Sequence, residues 1–237
     1  AKTGMSAKDL SEFARAAEHT LILYDEKTKL YEQHQGFFDL PHIDPDSIPV
    51  EEFPLYAHWS YDRIYRNDLV KQPDVLMFMF LYSQDFSFEQ KKANYEFYEP
   101  RCIHESSLSP SIHSIFASEL RKEKEALDFF GFATRMDLDD YNRNAGEGLH
   151  TTSIAAAWMN IVYGFGGLRS DGVSITLSPT IPSIWTSYQF KINVQNQSIG
   201  VKVTHEEVLL TKTSTEPLDL RVYGRKYTFQ QTLTITR

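Results

Sequence analysis

The chain has 237 residues, with 24 Lys and Arg against 32 Asp and Glu and a formal net charge of −8. A hydrophobic fraction of 41% supplies a sizeable core, so disorder and fibrous repeats are excluded. The acidic balance argues against a nucleic-acid binder, and the longest apolar run, residues 75–82, falls well short of the roughly 20 residues of a membrane helix.

The number of cysteines indicates the redox state of the protein's surroundings. Cys102 is the single thiol of the chain, which forbids an internal disulfide framework and fits reducing surroundings. We therefore expect a soluble, cytoplasmic, globular protein without a membrane or nucleic-acid partner.

Charge is distributed unevenly along the chain. Residues 1–170 carry 17 basic and 27 acidic side chains, a net charge of −10, whereas residues 171–237 carry 7 and 5, a net charge of +2. Two compositions predict two domains, one over 1–170 and one over 171–237.

The first region is predicted to be helical. Its apolar residues recur at helical spacing in six segments: 6–20, 67–84, 87–98, 109–121, 122–136 and 151–165. Ser6 is suited to cap the first helix with Asp9 bonding back, and Pro73 is suited to the first turn of the second. Residues 36–54, rich in proline and acidic side chains, are expected to be irregular.

From Gly172 onward the hydrophobic period changes to two. Six short segments alternate apolar and polar residues between turn-forming clusters: 174–177, 188–194, 199–204, 207–210, 218–222 and 227–235. This spacing predicts a small antiparallel β-sandwich that follows the helical domain.

Two groups of polar residues lie in the middle of the chain. Lys71 and Gln72 precede an apolar helix and are either a solvated helix start or part of a site. Ser106 and Ser107 lie just before a helix whose predicted cap is Ser109, and amides at a helix start attract anions.

The same stretch contains titratable groups, namely Glu99, His104, Glu105 and His113. No G-x-S-x-G elbow supports a hydrolase triad. The spacing is also a poor match to a metal motif, because His104 and Glu105 are adjacent and His113 is nine residues from His104. We therefore expect no metal.

Two further groups follow. Residues 136–142 are dense in carboxylates, which fits either acid–base chemistry on a glycosidic bond or an exposed acidic turn; the run lacks the glycine and glutamate of a calcium loop. His150, Thr151 and Thr152 follow a glycine pair at a predicted helix start, which in physical terms describes a phosphate or sulfate pocket. A lone histidine at such a position is more often structural.

Aromatic residues flank these same loops. They are Trp59, Tyr61, Tyr65, Tyr95, Phe97, Tyr98, Tyr141 and Trp158. Most aromatic residues in proteins belong to the core, but aromatic faces beside carboxylates and amides also hold sugar rings, so the combination indicates carbohydrate.

Six motifs in order carry a family resemblance. They occupy residues 71–75, 98–100, 104–110, 137–142, 148–150 and 164–168. Together they resemble the C-terminal half of glycoside hydrolase family 65. This family comprises inverting disaccharide phosphorylases acting on maltose, trehalose, kojibiose or nigerose, with acid trehalases as relatives.

The resemblance implies half of an (α/α)6 toroid of the six-hairpin glycosidase type, followed by a C-terminal antiparallel β-sandwich. It implies phosphorolysis of an α-glucosyl disaccharide to β-glucose 1-phosphate, with inorganic phosphate as co-substrate and no cofactor. Lys71 and Gln72 would bind the glucosyl unit. His150 with Thr151 or Thr152, and Ser106 with Ser107, would bind phosphate.

The family's general acid, a glutamate in a segment resembling Gly-Pro-Asp-Glu-Tyr, has no counterpart in this sequence, so no catalytic residue is assigned here. Six predicted helices are half of the twelve in a toroid. We therefore expect a fragment that is inactive alone, forming a homodimer or associating with the missing N-terminal part. Two alternatives stay open: a non-catalytic carbohydrate-binding or scaffold module, and a hydrolase relative with Glu99, Glu105 or Asp139 as base.

Overall fold

The structure, a computed structural model, describes residues 4–141, 143 and 145–237. Its helical part contains eight α-helices among these residues. They are α1 (Ala7–His19), α2 (Leu55–His58), α3 (Tyr61–Tyr65), α4 (Asp74–Leu81), α5 (Phe88–Tyr98), α6 (Ser109–Glu119), α7 (Glu123–Asp139) and α8 (Thr151–Met159). A two-stranded hairpin of β1 (Tyr24–Asp25) and β2 (Leu30–Tyr31) follows α1. The helical fold class is confirmed, although the hairpin, α2 and α3 were not predicted.

Local capping signals locate two helix starts. The Ser6 side chain accepts from the Asp9 amide and the Asp9 side chain accepts from the Ser6 amide, which confirms the predicted capping box of α1. Ser87 and Gln90 form the same reciprocal pair at the start of α5. Helix α6 differs slightly from the prediction, because Ser109 is its first residue and not its cap.

The helix predicted over residues 67–84 is wrong over its first third. The α-helix spans only Asp74–Leu81, Pro73 is the cap residue that precedes it, and a 3-10 turn over Ser83–Asp85 follows. Val70 instead forms a parallel bridge with Cys102. The backbone groups of the 67–72 stretch are therefore engaged by a distant part of the chain, which a local apolar pattern does not reveal.

The last predicted helix changes type before it ends. Helix α8 stops at Met159 and continues as a π-helix over Asn160–Phe165. The chain then turns at Gly167, whose φ is +58° and where a Cβ atom would lie 2.5 Å from the Ser178 carbonyl oxygen. Only glycine fits this turn, where the chain leaves the helical part.

The C-terminal part consists of two four-stranded sheets. The eight strands are β3 (Arg169–Ser170), β4 (Ile175–Leu177), β5 (Ser187–Val194), β6 (Gln197–Thr204), β7 (Glu207–Lys212), β8 (Leu218–Val222), β9 (Arg225–Phe229) and β10 (Thr232–Thr236). One sheet has the order β10-β7-β6-β5 and the other β3-β4-β8-β9. All pairs are antiparallel except β4 with β8, so the predicted sandwich is confirmed.

One strand prediction is wrong. Residues 227–235 were expected to form one strand, but β9 and β10 lie in different sheets. The chain bends at residues 230–231, and Lys212 donates its amide to the Gln231 carbonyl there. The apolar–polar alternation continues through the point where the chain passes from one sheet to the other, so the pattern alone does not show that point.

The two parts have separate cores that meet through a few aromatic side chains. Leu177, Ile199 and Leu210 are fully buried between the sheets, whereas Leu76, Ile115 and Phe116 are buried among the helices. Three aromatic residues, Tyr163, Trp185 and Tyr188, pack against both cores.

A charged network lies at the joint between the parts. Arg169 of β3 donates to Glu119 Oε2 at 2.7 Å, and Lys91 of α5 donates to Glu119 Oε1 at 2.7 Å. Lys91 is 5% exposed and also donates to Ser83 Oγ. The network ties α5 and α6 to the first strand after the helical part. The predicted domain boundary at residue 170 falls in this strand.

Helix α1 differs from the rest because every one of its residues is exposed. Leu10 and Phe13 are 59% and 62% exposed. Within the described residues, no helix is long and apolar enough to span a bilayer.

Candidate active site

The site is built on the bridge between Val70 and Cys102. The Val70 amide donates to the Arg101 carbonyl at 2.9 Å, and the Ile103 amide donates to the Val70 carbonyl at 3.0 Å. The pairing is parallel, so the residues after each partner run side by side. It therefore brings Lys71 and Gln72 alongside the segment that contains Ser106 and Ser107.

A buried carboxylate fixes this arrangement. Asp68, 5% exposed, accepts from Arg101 Nε and from His42 Nδ1, both at 2.8 Å. It also accepts from the Ile43 amide at 3.1 Å. The sequence analysis missed this anchor. The usable signal in the sequence is that Asp68 directly precedes an apolar pair, Leu69 and Val70, which favours its burial.

Gln72 and Ser106, two residues predicted for different ligands, are in direct contact. Ser106 Oγ donates to Gln72 Oε1 at 2.8 Å and accepts from the Leu108 amide at 3.2 Å. Ser106 is therefore committed to holding the Gln72 amide in place. Ser107 is half-buried, and among the described residues its hydroxyl has no hydrogen-bond partner.

Lys71 is exposed and rests on an aromatic ring that sequence reasoning did not assign. Its Nζ lies 4.5 Å from the centroid of Tyr56, and Tyr56 Oη lies 3.3 Å from Glu147 Oε1. A cation over an aromatic face contributes about 0.5–2 kcal/mol. The ring therefore restrains an otherwise flexible side chain at the edge of the site.

Helix α2, which carries Tyr56, is held by Glu105. The Leu55 amide donates to Glu105 Oε1, and burial raises the pKa of Glu105. Glu105 is 5% exposed. This carboxylate is thus used as a helix anchor.

His150 is held by a carboxylate one helix away. Asp137, near the end of α7, accepts from the His150 amide at 2.9 Å and from His150 Nδ1 at 2.5 Å. The hydrogen bond from His150 lowers the pKa of Asp137, so the carboxylate is charged. With Nδ1 engaged, Nε2 is the ring nitrogen left for a ligand.

The start of α8 matches the predicted anion pocket in part. Thr151 and Thr152 are exposed, but Ser153 is buried and donates to the Ala133 carbonyl at 2.7 Å. The amides of Thr151 and Ser153 donate to the carbonyls of Leu149 and His150. Two of the backbone amides at the start of α8 are therefore already hydrogen-bonded. An anion bound here would be held mainly by side chains.

The two predicted phosphate-binding groups are neighbours without direct contact. Across the described residues, no hydrogen bond joins the His150 group to the Ser106 group. The α7–α8 loop nevertheless approaches the segment that carries Ser106, because Tyr141 Oη lies 3.2 Å from the His104 carbonyl. The same loop also approaches α2, because Tyr56 Oη lies 3.3 Å from Glu147 Oε1. Asn142 of the acidic motif lies outside the described residues.

Several aromatic residues predicted to line a sugar site are core residues instead. Trp59, Tyr95 and Tyr98 are 6%, 1% and 3% exposed. Tyr61 and Tyr65 are exposed and stack on each other, with ring centroids 5.9 Å apart. The aromatic residue that contacts a predicted sugar-binding side chain is therefore Tyr56.

A cluster of possible metal ligands lies in the segment that also carries Ser106. One ligand atom each from Cys102, His104 and His113 lies within 4.8 Å of the others. The ring centroids of the two histidines are 4.7 Å apart. The turn into α6 brings His104 and His113 together although they are nine residues apart in the sequence. A rule based on sequence spacing does not detect such a pair.

Comparison with known proteins places this arrangement in a family. Residues 1–159 match the glycosyl hydrolase family 65 central catalytic domain, and residues 168–229 match the family's C-terminal domain. The chain belongs to glycosyl hydrolase family 65, as its six motifs predicted.

Two similar relatives are named as disaccharide phosphorylases. The chain is 39% identical over 222 residues to the maltose phosphorylase of Bacillus subtilis strain 168, covering 94% of this chain and 29% of the relative. It is 36% identical over 225 residues to the alpha,alpha-trehalose phosphorylase of Thermoanaerobacter brockii, covering 95% and 29%. The chain therefore spans about 29% of the length of these relatives.

A solved structure confirms the fold. A protein described as a candidate kojibiose phosphorylase from the human microbiome superposes with a TM-score of 0.91 and 57% sequence identity. The match covers all of this chain and 31% of that protein.

Proposed function

We propose that the protein containing this chain cleaves an α-glucosyl disaccharide of the maltose type with inorganic phosphate. The reaction inverts the anomeric centre and releases β-glucose 1-phosphate. This chain supplies part of the sugar site and part of the phosphate site, and the general acid glutamate belongs to another part of the protein. The phosphorylase names of the relatives from Bacillus subtilis and Thermoanaerobacter brockii support the reaction class.

The contact between Gln72 and Ser106 carries the proposal. Inverting phosphorolysis needs a phosphate oxygen at the face of the anomeric carbon opposite the leaving group, so sugar-binding and phosphate-binding residues must be neighbours. The hydrogen bond of 2.8 Å joins Gln72, which is proposed to bind the sugar, to Ser106, which directly precedes the proposed phosphate ligand Ser107. Ser107, the next residue, has the hydroxyl that is open to phosphate.

The proposed roles follow from hydrogen-bonding capacity. Gln72, oriented by Ser106, uses its amide nitrogen to bind a glucose hydroxyl, and Lys71 binds another as a cation restrained over Tyr56. His150 presents Nε2 to phosphate, with the Thr151 and Thr152 hydroxyls beside it. Lys71 supplies local positive charge where the whole chain is acidic.

The chemistry balances without a cofactor. A phosphate oxygen donates an electron pair to the anomeric carbon while the glycosidic C–O bond breaks, and the general acid gives its proton to the departing oxygen. Phosphate takes the place of the water and general base that an inverting hydrolase needs. The residues of this chain hold the two reactants in line and stabilise the negative charge of the phosphate.

Two of the three carboxylates that a hydrolase alternative would need are already engaged. Glu105 anchors α2 through the Leu55 amide, and Asp139 pairs with Arg135 at 2.6 Å on the exposed side of α7. Glu99 is half-buried and its pKa is raised, mainly by burial. This supports phosphorolysis over hydrolysis.

Product identity tests the proposal. The complete gene product is incubated with maltose, trehalose, kojibiose or nigerose, with and without phosphate, and the products are followed by ³¹P and ¹H NMR. We expect β-glucose 1-phosphate from one of these sugars and no cleavage without phosphate. Cleavage at an equal rate without phosphate would favour the hydrolase relative, and binding without cleavage would favour the non-catalytic module.

Association and location remain predictions. The proposed homodimer is checked by sedimentation equilibrium of the complete gene product, where a monomer at micromolar concentration would contradict it. The cytoplasmic location is checked by fractionation of the source cell.

A further inference from the structure

The cluster of Cys102, His104 and His113 is not used by the proposed reaction. Cys102 and His113 are 5% and 1% exposed, and their ligand atoms lie within 4.8 Å of each other and of a His104 nitrogen. The Phe129 ring packs against both histidines, at centroid distances of 4.9 and 5.2 Å. The Ser109 hydroxyl lies 3.2 Å from His104 Nδ1. Three soft or borderline ligands thus converge in a buried environment.

The protonation of His113 is fixed by its partner. Nδ1 lies 2.7 Å from the Ser109 carbonyl, and since a carbonyl only accepts, Nδ1 carries the hydrogen. Nε2 therefore has a free lone pair, and it is buried without a hydrogen-bond partner among the described residues. Metal-bound histidines commonly donate their other ring N–H to a carbonyl in this way.

The unpaired Nε2 needs an explanation. A buried acceptor without a partner lowers stability, and native proteins contain few of them. With its hydrogen on Nδ1, the His113 ring is able to coordinate a cation through Nε2. A cysteine binds a metal as the thiolate, so a bound cation displaces the thiol proton of Cys102.

Charge balance selects the ion. One thiolate and two neutral imidazoles carry a total charge of −1, which a monovalent cation neutralises and a divalent cation exceeds. Net charge in a buried site is costly, and thiolate with imidazole favours soft ions such as Cu⁺. Bonds of about 2.0–2.3 Å put ligand atoms roughly 3.5–4 Å apart, so side-chain shifts of about 1 Å suffice.

We propose that Cys102, His104 and His113 form a binding site for a soft monovalent transition-metal ion, Cu⁺, with one thiolate and two imidazole ligands. The ion would link Cys102, which forms the bridge with Val70, to His113 in the second turn of α6. None of the three ligands is among the residues proposed to bind sugar or phosphate, so failure of this proposal would leave the proposed reaction intact.

Binding is tested on the purified complete gene product under anaerobic conditions. Cu⁺ is titrated in the presence of the chromophoric competitor bicinchoninate, and proton release is measured in weak buffer at pH 7. We expect one Cu⁺ per chain and one proton released per ion. Absence of bound copper, binding without proton release, or tighter binding of Zn²⁺ than Cu⁺ would overturn the proposal.

Substitutions assign the ligands. Cys102→Ser and His113→Gln are each expected to reduce Cu⁺ affinity at least tenfold, with folding checked by circular dichroism. His205→Gln, a substitution in the sandwich, is the matched control and is expected to bind like the wild type. Full binding by folded Cys102→Ser contradicts the proposal. If the variants do not fold, the stoichiometry and proton release of the wild type still decide the question.

Discussion

The helical part and the sandwich bury different kinds of side chain. Of the buried polar or charged residues that the structure describes, thirteen lie between Asn67 and Asn160, and two, Gln197 and Lys212, lie in the sandwich. Lys212 is satisfied by Gln197 Oε1 at 2.8 Å and by the Ser214 and Glu216 carbonyls. The sandwich is therefore stabilised by apolar packing, whereas the helical part uses buried polar groups to position side chains.

Unsatisfied polar atoms follow the same division. Over the described residues, all five buried side-chain atoms without a partner are in the helical part: Ser111 Oγ, His113 Nε2, Ser118 Oγ, and Asn160 Nδ2 and Oδ1. Such atoms lower stability and are tolerated mainly where function requires them. Substitutions in the sandwich should therefore change stability alone, and substitutions in the helical part should separate into structural and functional effects.

The largest effect is expected at the charged joint. Glu119→Gln leaves Lys91, which is 5% exposed, and Arg169 without their carboxylate. Breaking a buried ion pair costs about 3–5 kcal/mol. The free energy of unfolding in urea measures this loss. Glu96→Gln, which breaks only the exposed Lys92 pair, is the control and should cost less than about 0.5 kcal/mol.

A loss nearly as large is expected in the sandwich core. Leu210 is fully buried, and Leu210→Ala removes apolar volume at a cost of about 2–5 kcal/mol. Leu209, the neighbouring residue of β7, is half-buried, so Leu209→Ala should lower the free energy of unfolding clearly less. In the complete gene product, the KM for phosphate should not change in either variant. A change in KM would show that the sandwich takes part in the site.

A smaller effect should distinguish two adjacent serines. Ser106 orients Gln72, whereas Ser107 has an open hydroxyl. A hydrogen bond contributes about 0.5–1.5 kcal/mol, or roughly 2–13-fold. Ser106→Ala should therefore raise the KM for disaccharide and Ser107→Ala the KM for phosphate, as measured by initial rates. The opposite pattern would reverse the two roles.

The smallest effect is a pH dependence of stability. Although burial opposes it, Arg169 and Lys91 lower the pKa of Glu119 below its usual value. A carboxylate whose pKa is lower in the folded state binds fewer protons than in the unfolded state, so its contribution is present above about pH 4.5 and is lost as pH falls through the folded pKa. Urea unfolding between pH 6 and pH 3 should show a slope that Glu119→Gln reduces. If the free energy of unfolding of Glu119→Gln depended on pH as steeply as that of the wild type, Glu119 would not be the cause of the pH dependence.

Local signals made much of the fold predictable. Ser6 with Asp9 fixed a helix start, and strict alternation located most strands because the sandwich buries one face of each strand. The bridge of Val70 with Cys102 and the anchor Asp68 were not predictable, because both depend on contacts between residues some 30 positions apart. The candidate residues were found by motif, but the division of labour between Ser106 and Ser107 needed the structure.

The initial rate of disaccharide cleavage as a function of phosphate concentration tests the central claim most directly. It is measured for the complete gene product, for His150→Gln and for the control His205→Gln. A charge-assisted hydrogen bond contributes about 1.5–3 kcal/mol, so His150→Gln should raise the KM for phosphate roughly 10–150-fold. The KM for disaccharide should change much less. An unchanged KM for phosphate in folded His150→Gln would contradict the account.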